Sequence, residues 1–189
     1  MKHIQFTFNS SFNDIDTLML PVNDQGKIHD AIIPNLPNQN ALTKLTEQLH
    51  KSGDFSGKLA STLLLVKPAD IDIQRIVFVG MEDLEQLTIK GYLNCLNSAA
   101  GALDHSGATH VANTLIFSPP PKHPLEWSIY HNTQVFQHSF YDYRHESRGD
   151  HSPKDPKLAH IIYPCETHNP AVQRGQASAI GMALTQELA

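Results

Sequence analysis

Short apolar segments alternate with longer amphipathic stretches along this chain, and that alternation constrains the fold more than any other feature. The apolar segments have the length of strands and are rich in branched residues, as in ASTLLLV (60–66) and QRIVFVG (74–80). The amphipathic stretches repeat apolar residues every three or four positions, which is typical of helices. A strand–helix alternation of this kind predicts an α/β domain in which helices cover a central sheet.

Six strands and four helices are predicted. The strands are residues 3–8, 15–22, 60–66, 74–80, 110–117 and 158–164. The helices are residues 38–51, 87–107, 125–140 and 170–189. Asn38 or Asn40 can cap the start of the first helix, and Gly53 follows its end. Asn169 and Pro170 fit the opening positions of the last helix. The polar stretch 142–157 is interpreted as an exposed loop.

Two of these helices carry patterns that predict what they contact. In the second helix a buried stripe is predicted at Ile89, Leu93, Leu96, Ala100 and Leu103. The last helix has small residues that favour the close approach of another helix or domain: Ala171, Gly175, Ala177, Ala179, Gly181 and Ala183. Its apolar residues are not confined to one stripe, which predicts cover on more than one side; they are Val172, Ile180, Met182, Leu184 and Leu188.

Composition excludes several classes of protein. The chain has 189 residues, enough for one domain, with 40% hydrophobic and 17% charged residues and a formal net charge of −5. It has no basic run, so a nucleic-acid partner is not predicted. Its longest apolar run, residues 63–66, is far shorter than a membrane span or a signal peptide. We therefore expect a cytoplasmic protein with reduced Cys95 and Cys165.

The stretch GDFSGK (53–58) raises the question of a phosphate-binding loop. Such a loop reads G-x-x-x-x-G-K-[ST] and joins a strand to the helix behind it. Here the spacing from Gly53 to Gly57 is one residue too short, and Leu59 stands where a hydroxyl should bind magnesium. A helix precedes the stretch and a strand follows it. The sequence therefore predicts that Gly53 ends a helix and that Gly57 turns the chain into a strand.

No catalytic, cofactor-binding or metal-binding residue is predicted in this chain. None of its twelve histidines lies in an H-E-x-x-H motif, and solvated surface histidines are the favoured interpretation. Glu82 and Asp83 follow a strand end, where α/β sheets often bind ligands, but they also suit a helix N-terminus. We favour the helix N-terminus. No G-x-S-x-G nucleophile motif is present.

Several segments taken together resemble the N-terminal domain of the leucyl aminopeptidases, the cytosol aminopeptidase family. There a helix ends in a Gly-Asp-Phe-x-Gly-Lys turn, here residues 53–58, and a strand follows. The family's next strand closes on Val-Gly-Leu-Gly; Gly80 matches its first glycine and Glu82 replaces the second. FQHSFYDYRHES (136–147) is similar to the family's Tyr-x-Phe-Asp-x-Tyr-Lys-Ser stretch. AIGMALTQELA (179–189) is similar to its helix Gly-x-x-x-x-Arg-Asp-Leu-x-Asn, although Gln-Glu-Leu stands in place of Arg-Asp-Leu.

The resemblance implies a macro-domain-like three-layer α/β/α sandwich with a mixed sheet. It also implies a hexameric parent enzyme that removes N-terminal residues from peptides with two divalent metal ions, zinc or manganese. The family's metal ligands and catalytic lysine and arginine lie in a C-terminal domain. Residues 1–167 are thus interpreted as a non-catalytic domain, and residues 168–189 as the helix that connects it to the catalytic domain. The chain ends within that helix, which favours a segment of a longer protein.

Two other functions are compatible with the predicted fold. Macro-like folds can bind ADP-ribose, so the chain could be a stand-alone nucleotide-binding module. Such modules usually place a glycine-rich loop against the diphosphate, whereas ALDHSGATHV (102–111) offers only scattered glycine. An independent hydrolase is the third hypothesis, and it requires a nucleophile or a metal cluster that the sequence does not reveal.

Overall fold

A computed structural model of the chain describes residues 4–12, 14–140 and 158–187. It contains six strands: β1 (Gln5–Phe8), β2 (Thr17–Val22), β3 (Thr62–Val66), β4 (Arg75–Gly80), β5 (His110–Asn113) and β6 (His160–Tyr163). It contains four α-helices: α1 (Gln39–Ser52), α2 (Ile89–Asp104), α3 (Leu125–Ser139) and α4 (Asn169–Glu187). Two short 3-10 turns lie at Ile33–Asn35 and Leu115–Phe117. The predicted loop 142–157 lies outside the described residues.

The six strands form one mixed sheet in the order β1-β6-β5-β2-β4-β3. All neighbouring strands are parallel except β3, which pairs antiparallel with β4. Strand β2 is central and every one of its residues is buried, as expected for a parallel strand with helices on both faces. The edges of the sheet are β1 and β3.

Alternate residues of the central strands supply two separate cores. Leu18, Leu20 and Phe78 face α1, whose Leu42 is fully buried against them. Met19 and Val77 face the opposite way, toward a larger cluster formed with α2, α3 and the start of α4. This period-two alternation places helices on both faces. The predicted three-layer α/β/α sandwich with a mixed sheet is therefore confirmed.

Helix α4 packs on α3 through its small residues. Gly175, Ala179 and Ala183 recur every four positions on the buried side of α4, and Gly175 lies against Tyr130 and Thr133 of α3. The expectation that these small residues admit a close neighbour is confirmed at these positions, and the neighbour is a helix of the same chain. Ala177 and Gly181 are exposed instead.

Three predicted details differ from the structure in whole or in part. The strand predicted at 110–117 ends at Asn113, because the Asn113 side chain accepts a hydrogen bond from the Leu115 N–H (3.0 Å) and the chain bends into a 3-10 turn. In α2 the predicted buried stripe is confirmed at Leu96, Ala100 and Leu103, but it was wrong at Ile89, which is 46% exposed. Asn38 occupies the N-cap position of α1, but its side chain makes no capping hydrogen bond.

Among the described residues, none of the helices combines the length and apolar character needed to span a bilayer.

Candidate functional site at the carboxyl ends of the parallel strands

The carboxyl ends of β2 and β4 form the position at which α/β sheets often bind ligands. Helix α1 follows β2 on one face of the sheet, and α2 follows β4 on the other face. The connections after these neighbouring strands therefore run to opposite faces of the sheet, which leaves a crevice between the strand ends. A cavity of about 460 Å³ opens there, lined by Asp24, Leu59 and side chains of segment 81–88. We call this cavity the strand-end cavity.

The glycine-containing turn 53–58 lies across the ends of the same two strands. Gly53 ends α1 with a left-handed backbone (φ 81°), and Gly57 is also left-handed (φ 66°). The Gly57 carbonyl accepts a hydrogen bond from the Glu82 N–H (3.0 Å), and a Cβ on Gly57 would overlap the Asn23 carbonyl. The prediction that these glycines end a helix and turn the chain is confirmed.

Gly80, at the end of β4, fits beneath this turn. The Gly80 carbonyl accepts a hydrogen bond from the Ala60 N–H (2.9 Å), and the Gly80 N–H donates one to the Ser61 carbonyl (2.8 Å). A Cβ on Gly80 would overlap the Lys58 carbonyl and would lie 2.7 Å from the carbonyl carbon of Gly57. The turn is therefore packed onto the sheet, and its Gly57 and Lys58 carbonyls accept hydrogen bonds from the Glu82 and Ser61 N–H groups.

The strand-end cavity is acidic. Asp24, Glu82 and Asp83 line it, and no lysine or arginine is among its described lining residues. Neighbouring carboxylates repel an anionic ligand such as a diphosphate, most strongly where solvent is partly excluded. The arrangement is thus poorly suited to phosphate chemistry.

Two of the polar side chains in this cavity already have local partners. Asp83 Oδ1 accepts a hydrogen bond from the Glu85 N–H (2.9 Å), and Asp83 Oδ2 accepts one from Gln86 Nε2 (2.9 Å). Thr88 Oγ1 accepts from the Gly91 N–H (3.0 Å) and so caps α2. The favoured prediction that Glu82 and Asp83 lie at a helix N-terminus was wrong, because a separate turn intervenes before Thr88.

The described residues do not provide a donor set for the metal ions that the resemblance implies. Within 4–12, 14–140 and 158–187, no three or more His, Cys, Asp or Glu side chains come together at a spacing that fits a metal ion. A catalytic dimetal centre requires several such ligands around each ion. We therefore assign no metal to these residues and derive no chemical step through one.

The histidines are more varied than the predicted solvated set. His105 is exposed as predicted. His131 instead packs on Trp127 with 4.2 Å between ring centroids, and burial lowers the pKa of its imidazole. His160 contacts His110 across neighbouring strands (5.7 Å between centroids), and burial also lowers its pKa. Both shifts favour the neutral imidazole, which is consistent with packing roles.

A buried polar cluster that the sequence analysis missed lies behind the end of β5. Asn132 Nδ2 donates to the Tyr92 hydroxyl (2.7 Å), and Asn132 Oδ1 accepts from Asn113 Nδ2 (2.9 Å). The Tyr92 hydroxyl also bonds to Ser128 and to the Leu115 carbonyl (3.1 Å). The signal available in the sequence was Asn113, which lies within the largely apolar stretch VANTLIF (111–117). The cluster joins α2, α3 and β5, and its hydrogen bonds are made internally.

The two cysteines are not poised as nucleophiles. Both are free thiols; Cys95 is buried and donates toward the Gly80 carbonyl (3.3 Å). Burial raises the pKa of Cys95 to about 11, and burial likewise raises that of Cys165 to about 11. Since the thiolate is the reactive form, neither residue is activated near neutral pH.

Comparison with known proteins places this geometry in a family. The sequence profile of the "Cytosol aminopeptidase family, N-terminal domain" matches residues 25–146. A "Probable cytosol aminopeptidase" of Hydrogenovibrio crunogenus is 48% identical over 194 residues, covering all of this chain and 38% of the relative. The chain thus spans well under half the length of that curated relative.

Solved structures agree on the fold. A variant of tomato leucine aminopeptidase superposes with a TM-score of 0.61 at 17% identity, covering 96% of this chain and 36% of the tomato chain. The macrodomain of Mycobacterium tuberculosis DarG superposes with a TM-score of 0.56 at 12% identity, covering 86% of this chain and 99% of the macrodomain. These similarities concern the fold alone. The profile match and the relative of 48% identity show that this chain belongs to the cytosol aminopeptidase family, as its N-terminal domain.

Proposed function

We propose that this chain is the non-catalytic, assembly or regulatory N-terminal domain of a dimetal leucyl aminopeptidase, a peptidase that removes N-terminal residues from peptides. One observation carries the proposal: the chain matches a named cytosol aminopeptidase along its whole length while accounting for 38% of that protein. The bond-breaking chemistry then belongs to the part of the parent enzyme outside this chain.

The local geometry supports a scaffold role. The glycines of the turn 53–58 and Gly80 are explained by a helix end and by close packing on the sheet. The carboxylate of Asp83 and the hydroxyl of Thr88 form local capping hydrogen bonds. These hydrogen bonds give both side chains a local structural role.

The partners follow from the same proposal. The chain's principal partner is its own C-terminal catalytic domain, reached through the connecting helix 168–189. Ile180 and Met182 of α4 are partly exposed and Leu184 is 49% exposed, so apolar area of α4 remains available to another domain. The parent is proposed to be a cytoplasmic hexamer whose catalytic domain holds two zinc or manganese ions.

The experiment for this proposal is a peptidase assay on the chain by itself. We expect no hydrolysis of leucyl-p-nitroanilide above the buffer blank when Mn²⁺ or Zn²⁺ is supplied, because the donor sets for two metal ions lie elsewhere in the parent. Metal-dependent turnover by this chain contradicts the proposal.

A second candidate function is a stand-alone module that binds ADP-ribose, and the similarity to macrodomains favours it. The strand-end cavity argues against it, because Asp24, Glu82 and Asp83 oppose a diphosphate. We expect no change in melting temperature when ADP-ribose is added at millimolar concentration. Since a ligand that binds only the folded state raises its stability, a saturable upward shift supports the binding module instead. A macrodomain known to bind ADP-ribose is the positive control.

A further inference from the structure

Strand β3 (Thr62–Val66) is an edge of the sheet that lacks the usual protection against pairing. Its sequence, TLLLV, contains no charged residue and no proline. Exposed edge strands in proteins generally carry lysine, proline or a bulge that discourages another strand from adding to the sheet. This strand instead presents uncharged residues that favour β structure.

The hydrogen-bond register shows which backbone groups point away from the sheet. The Lys67 N–H donates to the Gln74 carbonyl (2.7 Å), and the Gly80 N–H donates to the Ser61 carbonyl (2.8 Å). Residues 61, 63, 65 and 67 therefore bond toward β4, since the pattern alternates in an antiparallel pair. The N–H and C=O groups of Thr62, Leu64 and Val66 point outward, and none of the described residues pairs with them.

Exposed apolar side chains lie at both ends of the same edge strand. The described part of the chain has four large hydrophobic side chains with high exposure, and three of them are here. Val66 ends β3 (59% exposed), and Leu59 precedes the strand (37% exposed). Ile89 (46% exposed) lies in the first turn of α2, the turn whose Gly91 contacts Leu59. Leu59 and Ile89 lie at the start of β3 and Val66 at its end, so exposed apolar area adjoins the strand at both ends.

We propose that β3 is a two-fold interface at which a second copy of this chain pairs antiparallel with it. The edge is self-complementary about Leu64. In the pairing, Leu64 lies opposite the partner's Leu64 and Thr62 lies opposite the partner's Val66. The three outward-facing residues of each copy then exchange six backbone hydrogen bonds, and the two sheets join into one of twelve strands.

A second copy fits this edge better than an unrelated extended peptide. The pairing places uncharged residues against uncharged residues along the whole strand, with no unpaired charge. A five-residue ladder buries less area than a typical stable interface, and Leu59 and Ile89 supply the adjoining apolar area. The inference does not depend on where the peptidase chemistry lies, so the two can fail separately.

Two double variants test the pairing and its register. Thr62→Lys with Val66→Lys places like charges opposite each other twice across the two-fold axis. Thr62→Lys with Val66→Glu places opposite charges at the same two contacts. Both positions are exposed, so neither variant should disturb the fold, which circular dichroism checks. The second variant is the matched control, because it carries as many new charges as the first.

Sedimentation velocity from micromolar to millimolar concentration gives the mass of each form. We expect the native chain to reach twice the mass of one chain, the lysine–lysine variant to remain a monomer, and the lysine–glutamate variant to associate. Hydrogen exchange at the amides of Thr62, Leu64 and Val66 should slow only in the associating forms. A native chain that stays monomeric at millimolar concentration overturns the proposal. Equal behaviour of the two variants, or open-ended growth through β1, also overturns it.

Discussion

Replacing Gly57 by alanine is expected to lower the free energy of unfolding by about 2 to 5 kcal/mol. Two costs add at this position. The backbone is left-handed (φ 66°), which an L-residue adopts only with strain. The new Cβ would also overlap the Asn23 carbonyl, whose carbon lies 2.6 Å away, so the ends of β2 and β4 would have to move. The midpoint temperature of thermal unfolding should fall by roughly 10 °C for a chain of this size.

Gly53→Ala is the matched control for this prediction. Gly53 belongs to the same turn and has the same left-handed backbone (φ 81°), but nothing lies within 4 Å of its added Cβ. Only the backbone cost applies, about 1 to 2 kcal/mol. Urea unfolding of the two variants separates the cost of the left-handed backbone from the cost of the overlap with Asn23. Equal losses would show that the contact between Gly57 and Asn23 is not rigid, and the packed-turn interpretation would then be wrong.

The second large effect concerns the packing of α4 on α3. Replacing glycine by alanine should destabilise the chain at Gly175, where the helices touch, and stabilise it at Gly181, which is exposed. Gly175→Ala places a Cβ 2.6 Å from the Tyr130 carbonyl oxygen and 2.8 Å from Thr133 Cβ. Packing this close leaves no room for the added methyl group. We therefore expect the free energy of unfolding to fall by about 1 to 3 kcal/mol, despite alanine's better helix propensity. The result should be a looser attachment of α4 to the rest of the domain.

Gly181→Ala provides the control within the same helix. Its Cβ would meet nothing within 4 Å and the position is exposed. The substitution should therefore stabilise the chain by about 0.5 to 1 kcal/mol, as expected from removing glycine from a helix interior. Chemical denaturation measures the free energy of unfolding of both variants. Stabilisation by Gly175→Ala as well would mean that α4 does not pack on α3 as closely as the structure indicates.

Much of the fold was predictable because local patterns and tertiary packing agree. The alternation Leu18, Met19, Leu20 in β2 serves both faces of the sheet, and Gly53 ends α1 with the left-handed backbone that glycine permits. These features depend on residues close in sequence. The absence of a phosphate loop was likewise predictable from spacing and element order.

The features that escaped prediction are ones that the spacing of apolar residues does not report. Apolar residues continue past Asn113, yet the chain bends there because the Asn113 side chain competes for the Leu115 N–H. Ile89 matches the helical period but begins α2 at its exposed end. That β3 is an edge strand follows from the sheet order, and no residue within TLLLV encodes that order.

The most direct test of the account compares turnover of leucyl-p-nitroanilide by two polypeptides under identical Mn²⁺ or Zn²⁺ supply. One is the chain of 189 residues, and the other is a longer form that continues into the sequence matched by its cytosol aminopeptidase relatives. The account predicts turnover by the longer form, its loss on adding EDTA, and a blank for the shorter form. EDTA-sensitive turnover by the 189 residues alone contradicts it.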